Sequence, residues 1–365
     1  MKIADMHCDT ISEIWESRKQ SASQKGGSPQ QLYRNDLHID IRKMKKAGYL
    51  LQNFALYVDL KKGLDPFEYV MELIDVFREE MGKNKNDIGV IKTYDEILAN
   101  ECQGKMSALM TIEEGGCCKG EIGNLERLYQ LGARMMTLTW NYPNELASPN
   151  LFLKNELSGK SAEKGGAASD AAKDILSGIG DEKGSTLKND EGFNLFDSSR
   201  GLTEKGFFFI QRMEELGMII DVSHLSDAGF WDIVQHTKKP FVASHSNARA
   251  LCGHCRNLTD DMIRAVAGRG GVIGLNFYGC FLNETNDSHS RVARMAAHAR
   301  HMLKVGGSGC LGLGSDFDGI SGELEIQDCS QMQKLVDGLE RAHFTGTEIE
   351  NILWRNVMRV YREML

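Results

Sequence analysis

The sequence is poor in proline, with five in 365 residues against 38 glycines. With 41% hydrophobic and 26% charged residues, it is neither collagen-like, fibrous nor disordered, and has the profile of a soluble globular enzyme. No stretch approaches the ~18 uninterrupted apolar residues of a membrane span, so no membrane partner is expected. There is no basic stripe and the formal charge is −8. That argues against nucleic acid as the main partner, because neutralising phosphates takes clustered Lys and Arg. The opening Met1-Lys2-Ile3-Ala4-Asp5-Met6-His7 lacks the basic-then-apolar layout of a signal peptide. The nine cysteines are odd in number and scattered, unlike the framework of a small secreted domain. Reduced thiols in a cytoplasmic protein are the expectation.

What is present is a rhythm of short apolar runs and longer amphipathic segments. The spacing predicts strands near 2–8, 50–58, 106–113, 133–139, 218–223, 240–245, 271–277 and 310–315. Most are not strictly alternating, as suits strands covered by helices on one face and a filled interior on the other. Helices are predicted over Pro66–Met81, Asn124–Leu131, Thr203–Leu216, Ser226–His236 and Thr259–Ala267, several opening on a capping Ser, Thr or Asn. Eight strands separated by helices are the arithmetic of an α/β chain folded as a (β/α)8 TIM-type barrel, one catalytic domain over 1–365. An open doubly wound sheet is the runner-up, but no GxGxxG follows the first run. No internal repeat has a solenoid period. Residues from about 148 to 200, rich in Gly, Ser, Asp and Lys, break the rhythm and read as either a lid over the barrel mouth or a passive insertion.

Metal-competent side chains recur where these strands end. His7-Cys8-Asp9 projects an imidazole and a carboxylate two residues apart, on one side of a strand. Further runs end in Thr111-Ile112-Glu113-Glu114-Gly115-Gly116, Asp221-Val222-Ser223-His224, Ala243-Ser244-His245-Ser246 and Gly314-Ser315-Asp316-Phe317-Asp318-Gly319. In a barrel, strand ends deliver residues to the mouth that bears active sites. Each motif alone is weak, and a lone His such as His224 is more often a hydrogen-bonded core residue. Together they fit two divalent ions better than one structural zinc, since a single ion would leave other polar groups unpaired in a confined mouth.

Other motifs have blander readings. Cys252-Gly253-His254-Cys255 spells a redox C-x-x-C, but sits deep in the barrel pattern and reads as a pair of adventitious thiols. Cys117-Cys118 could join it in a four-thiolate zinc site, an equally weak reading. Gly306-Gly307-Ser308-Gly309 is a turn before a strand sooner than a phosphate cradle. His289, His298 and His301 share a helical pattern with Arg291, Arg294 and Arg300, which reads as a solvated face.

The strand-end motifs resemble those of the membrane dipeptidase (renal dipeptidase) family of zinc peptidases, among the metal-dependent hydrolase barrels. The most specific stretches are Asp5-Met6-His7-Cys8-Asp9, Glu114-Gly115-Gly116, Met136-Thr137-Leu138-Thr139, the run from Gly217 to Ser226, Ser244-His245-Ser246 through Arg256-Asn257-Leu258, and Gly314 to Gly319. The resemblance implies that His7 and Asp9 hold one Zn2+ and His224 and His245 the other. It implies that Glu114 bridges the two, with Glu113 as the register alternative. Other divalent ions remain compatible. Asp316 would handle the proton, and Arg256 would grip the substrate carboxylate through the two-pronged geometry of guanidinium. Phe281, with Tyr278 nearby, falls where the family usually has a tyrosine. Trp140 stands where the family has a histidine that reaches the substrate carbonyl, and indole is a donor only.

The implied activity is hydrolysis of dipeptides, including those with a C-terminal D-residue, by a metal-bridging hydroxide. Homo-oligomerisation is left open. Two rival readings remain. One is a related barrel amidohydrolase acting on another amide or cyclic amide, although Ala133–Trp140 lacks the lysine that many such enzymes use as a bridge. The other is a catalytically impaired metal-binding homologue, on account of Trp140.

Overall fold

A computed structural model describes residues 1–23, 29–150, 199–284 and 287–365. The expected insertion at 148–200 falls almost wholly outside the described residues, so neither reading of it is addressed. Among the described residues there are nine strands: β1 (Ile3–Asp5), β2 (Tyr49–Tyr57), β3 (Ile88–Ile91), β4 (Met106–Glu113), β5 (Met135–Thr137), β6 (Ile219–Asp221), β7 (Val242–Ala243), β8 (Val272–Leu275) and β9 (Leu311–Leu313). All pairings between them are parallel. Because β2 pairs with both β1 and β4, the sheet closes on itself as an eight-stranded barrel of β1, β2 and β4 to β9.

Eight of these strands lie where the apolar runs placed them. The ninth, β3, pairs with Met106–Leu109 of β4, below the point where β5 joins β4 at Thr111. Its sequence, Ile88-Gly89-Val90-Ile91, is short and interrupted by glycine, so it gives little periodic signal. The predicted helices also form, most with the caps the sequence offers; the exception is Ile122–Leu131, which begins before Asn124 and has no side-chain cap. Asp65 accepts from Phe67 N and Glu68 N ahead of Pro66, while Thr203, Ser226 and Thr259 cap the helices that follow them.

Side chains alternate between two cores. Along β4, Ala108, Met110 and Ile112 belong to the outer core under the helices. Leu109 faces the barrel axis, where it joins Met135, Ile219, Val242 and Val272. The same inner cluster includes Val357, Val360 and Tyr361 of the helix Asn356–Met364, so that helix plugs the N-terminal end of the barrel. Tyr361 is fully buried and its hydroxyl accepts from Asn53 Nδ2 at 2.7 Å. With that end filled by apolar side chains, the polar strand ends gather at the opposite mouth.

Closure is tight near that mouth. A Cβ on Gly314 would lie 1.8 Å from the Ser244 carbonyl oxygen, a backbone atom that cannot rotate aside. We expect Gly314→Ala to cost about 1–3 kcal/mol by overpacking, read from chemical denaturation. A loss below about 0.5 kcal/mol, the range of ordinary surface substitutions, would show that the strands relax freely there.

Candidate metal centre

Glu113 ends β4 on the parity of Leu109 and therefore points into the barrel mouth. Its two oxygens face different imidazoles. Oε2 lies 3.3 Å from His7 Nε2, while Oε1 lies 3.1 Å from His224 Nε2 and 3.8 Å from His245 Nε2. Around His7 Nε2 are also Asp9 Oδ2 at 3.5 Å and Asp316 Oδ1 at 3.9 Å. One carboxylate thus joins two donor clusters, His7 with Asp9 on one side and His224 with His245 on the other.

The expectation that Glu114 bridges is corrected here. At Glu114 the backbone turns left-handed (φ 101°), and its carboxylate accepts from Gly116 N at 2.7 Å, Trp140 N at 2.8 Å and Asn144 Nδ2. Glu114 is buried and shapes the loop that carries Trp140. Burial raises its carboxyl to about 7. The Glu-Gly-Gly spacing selected the wrong register, because strand alternation admits only one of two adjacent glutamates to the interior.

Hydrogen bonds fix the tautomers. His224 Nδ1 lies 2.9 Å from Asn141 Oδ1, which can only accept, so the proton sits on Nδ1. The Ser244 hydroxyl donates to Asp221 Oδ2 and so accepts from His245 Nδ1 at 2.7 Å. Both Nε2 atoms therefore present lone pairs, and they are only 2.9 Å apart. Beside Glu113 Oε1 this is a convergence of acceptors without a donor, which a cation would satisfy. On the other side, His7 Nε2 and Asp9 Oδ1 are buried without a hydrogen-bond partner. Among the described residues the grouped donors that could hold an ion are His7 with Glu113 and His245, and His7 with Asp9 and Asp316. Imidazole and carboxylate donors of this kind suit zinc or a similar divalent ion, so the residues fit the metal.

The protonation equilibria diverge. Burial pushes His224 down to about 3 and His245 well below its ordinary value, assisted by Arg256 and His7 respectively. Burial works against the His7 cation too, but Glu113 and Asp9 outweigh it and hold that imidazole well up. Burial lifts Asp316 to about 6. Its Oδ2 accepts from Asn276 Nδ2 at 2.8 Å, leaving Oδ1 turned to the centre. His224 (φ 68°) and Asp316 (φ 63°) both sit in the left-handed region, a strained backbone typical of functional sites. A Cβ at Gly319 would lie 2.2 Å from Asp9 Oδ2, so a side chain there would displace that carboxylate.

Above the centre is a cavity of about 250 Å3. Trp140, Arg256, Tyr278 and Phe281 all line it, as does Asp316. Trp140 packs between Tyr57 (4.8 Å between ring centroids) and Tyr142 (5.4 Å). Arg256 is 2% exposed, and its Nε and Nη1 have no hydrogen-bond partner. The expected residues other than Glu114 are therefore brought to one mouth. Asn141 and Asn276, which orient His224 and Asp316, were missed. A polar residue closing the apolar run 271–277 was the available signal for Asn276, whereas nothing marks Asn141.

One other expectation changes. His298 is not on a solvated face: it is fully buried, accepting from Ala248 N and bonded to Leu282 O. Cys252 and Cys255 are free thiols, in keeping with the reading of an adventitious pair, and the buried Cys252 donates to Cys280 O and Asn283 O.

The family profile described as membrane dipeptidase (peptidase family M19) matches residues 1–168 and 183–364. An uncharacterized dipeptidase of Schizosaccharomyces pombe is 30% identical over 339 residues, spanning 89% of this chain and 72% of that protein. Among solved structures, a metallo peptidase from Rhodobacter sphaeroides liganded with a phosphinate mimic of the dipeptide L-Ala-D-Ala superposes with a TM-score of 0.79. The identity there is 19%, over 100% of this chain and 99% of that one. The dipeptidase AC, a metallo peptidase, gives 0.78 at 21% identity over 100% and 98%. At these identities the two structures establish the barrel fold.

The two glutamates should separate in metal analysis. Glu113→Gln should lose at least one equivalent of bound zinc. Glu114→Gln should keep full stoichiometry and lose about 1–3 kcal/mol of stability from disrupted buried hydrogen bonds. Equal metal loss in both would contradict the assignment.

Proposed function

The chain belongs to the membrane dipeptidase family of metallopeptidases, and on that footing we propose that it is a binuclear zinc dipeptidase. The observation that carries the reading is the split carboxylate of Glu113, with one oxygen towards His7 and the other towards His224 and His245. His7 and Asp9 would hold one ion, His224 and His245 the other, and Glu113 both. Bound there, the ions would supply Lewis acidity towards the amide carbonyl and a bridging hydroxide nucleophile at neutral pH.

The protein's own groups account for the remaining work. Asp316 turns Oδ1 inward while Asn276 holds Oδ2. It can take a proton from the attacking water and return it to the departing amine nitrogen, the general base and then general acid role. Arg256 offers two buried, unpaired N–H groups to a terminal carboxylate, a charge-assisted pairing of good directionality. By gripping the terminal carboxylate beside the cavity of about 250 Å3, Arg256 would favour a dipeptide over a longer chain. Trp140 walls the cavity against Tyr57 and Tyr142, and its indole brings no positive charge to the substrate carbonyl. That the acceptor cluster, Asp316 and Arg256 are all in place favours an active enzyme over an impaired homologue. Tolerance of a D-residue on the C-terminal side belongs to the same proposal.

The test is metal analysis of the purified protein coupled to hydrolysis of L,L- and L,D-dipeptides with and without chelator. About two zinc per chain and turnover abolished by chelation are the expected results. Absence of stoichiometric metal after reconstitution would overturn the reading. Asp316→Asn should retain metal and lose about 10²-fold or more in kcat, the scale of general acid–base catalysis. A kcat unchanged from wild type would remove Asp316 from the mechanism.

A further inference from the structure

His254 is a buried polar group of the cavity that the reaction outlined above leaves unused. It is 5% exposed and lines the same cavity as Glu113, Arg256 and Asp316. Its Nδ1 receives the backbone N–H of Arg256 at 3.1 Å. A backbone N–H can only donate, so Nδ1 is the unprotonated nitrogen of the ring. Burial, aided by Arg256 and Arg249, lowers this histidine to about 3, so the ring is neutral at pH 7. A neutral ring with an accepting Nδ1 must carry its proton on Nε2. Nothing among the described residues accepts that proton.

The ring's position says what would. His254 packs against Phe281 with centroids 4.6 Å apart and the rings tilted by 45°, and the Arg256 guanidinium lies 5.3 Å from the same Phe281 ring. The imidazole and the guanidinium therefore flank one aromatic wall. Both residues line the same cavity, so a ligand group that pairs with Arg256 Nε and Nη1 shares that cavity with the histidine. The ligand chemistry that satisfies two guanidinium N–H groups and a third, neutral donor is a carboxylate, which has about four acceptor sites.

We propose that His254 donates from Nε2 to the C-terminal carboxylate of the substrate, beside Arg256, and so helps the site distinguish a free C-terminus. This rests on the dipeptidase reading. The competing role is structural, in which the ring merely holds the Arg256 backbone. Two substitutions separate them. The Asn side-chain oxygen falls near Nδ1, so His254→Asn keeps an acceptor for Arg256 N–H and removes the donor at Nε2. His254→Gln reaches the Nε2 position with an amide N–H and gives up the acceptor.

The experiment measures, on zinc-loaded protein, KM and kcat for a dipeptide and its C-terminal amide. Calorimetric Kd values are taken in parallel for a phosphinate dipeptide mimic and its amide. His254→Asn should weaken binding of the free-carboxylate ligands about tenfold, the scale of a hydrogen bond to a charged group. The amides should be unaffected and kcat nearly unchanged, while His254→Gln should stay within about threefold of wild type. Equal weakening of acid and amide would overturn the proposal, as would wild-type affinity in His254→Asn with loss in His254→Gln. If the wild type binds the mimic but hydrolyses no dipeptide, the dipeptidase reading falls, and the Kd values still decide the role of His254.

Discussion

The structure turns on how lone pairs are brought together at the end of β4. Glu113, His224 and His245 converge with acceptors facing one another, and His7 Nε2 and Asp9 Oδ1 add buried atoms without a hydrogen bond among the described residues. In a low-dielectric mouth such a cluster is costly unless positive charge occupies it. The surroundings remove the cheaper escapes. Asn141 and Ser244 fix the two tautomers, so neither imidazole can turn its N–H inward without giving up its outer hydrogen bond. The centre is therefore organised in advance for cations, and the outer hydrogen bonds are as necessary to it as the ligands.

The barrel supplies the rigidity this requires. Its N-terminal end is filled by apolar side chains of Asn356–Met364, and its outer face is covered by helices. Just beyond the last paired residues of β6 and β9 the backbone goes left-handed at His224 and Asp316, which redirects those side chains from the strand direction. Asp318, also left-handed (φ 71°), accepts from Thr10 Oγ1 and His38 N, tying the end of β9 to two earlier segments. Strain of this kind persists only where the surrounding packing over-determines it.

The cavity above the centre is polarised by the same construction. Carboxylates of Asp9, Glu113 and Asp316 stand at the floor, while Arg256 and His254 occupy one side against Phe281. Trp140 closes another part of the wall with Tyr57 and Tyr142. Glu114, excluded from the metal centre, contributes here instead by holding the Trp140 backbone. The two adjacent glutamates thus serve different layers of one site.

The family resemblance marked Arg256, Trp140, Tyr278 and Phe281, and the sequence by itself determined the eight barrel strands, most of the helix caps and the metal-competent groups at the strand ends. Those properties follow from periodicity, local hydrogen bonding and the placement of polar residues at strand ends, all short-range in the chain. Only the tertiary structure decided between Glu113 and Glu114, because that choice depends on which strand parity faces the axis and on the left-handed turn that follows. It alone found β3, too short to have a period of its own. It alone made His298 a buried tie and gave Asn141, Asn276 and His254 their partners. Those assignments rest on contacts between residues distant in the chain or on local backbone direction, which residue spacing does not encode.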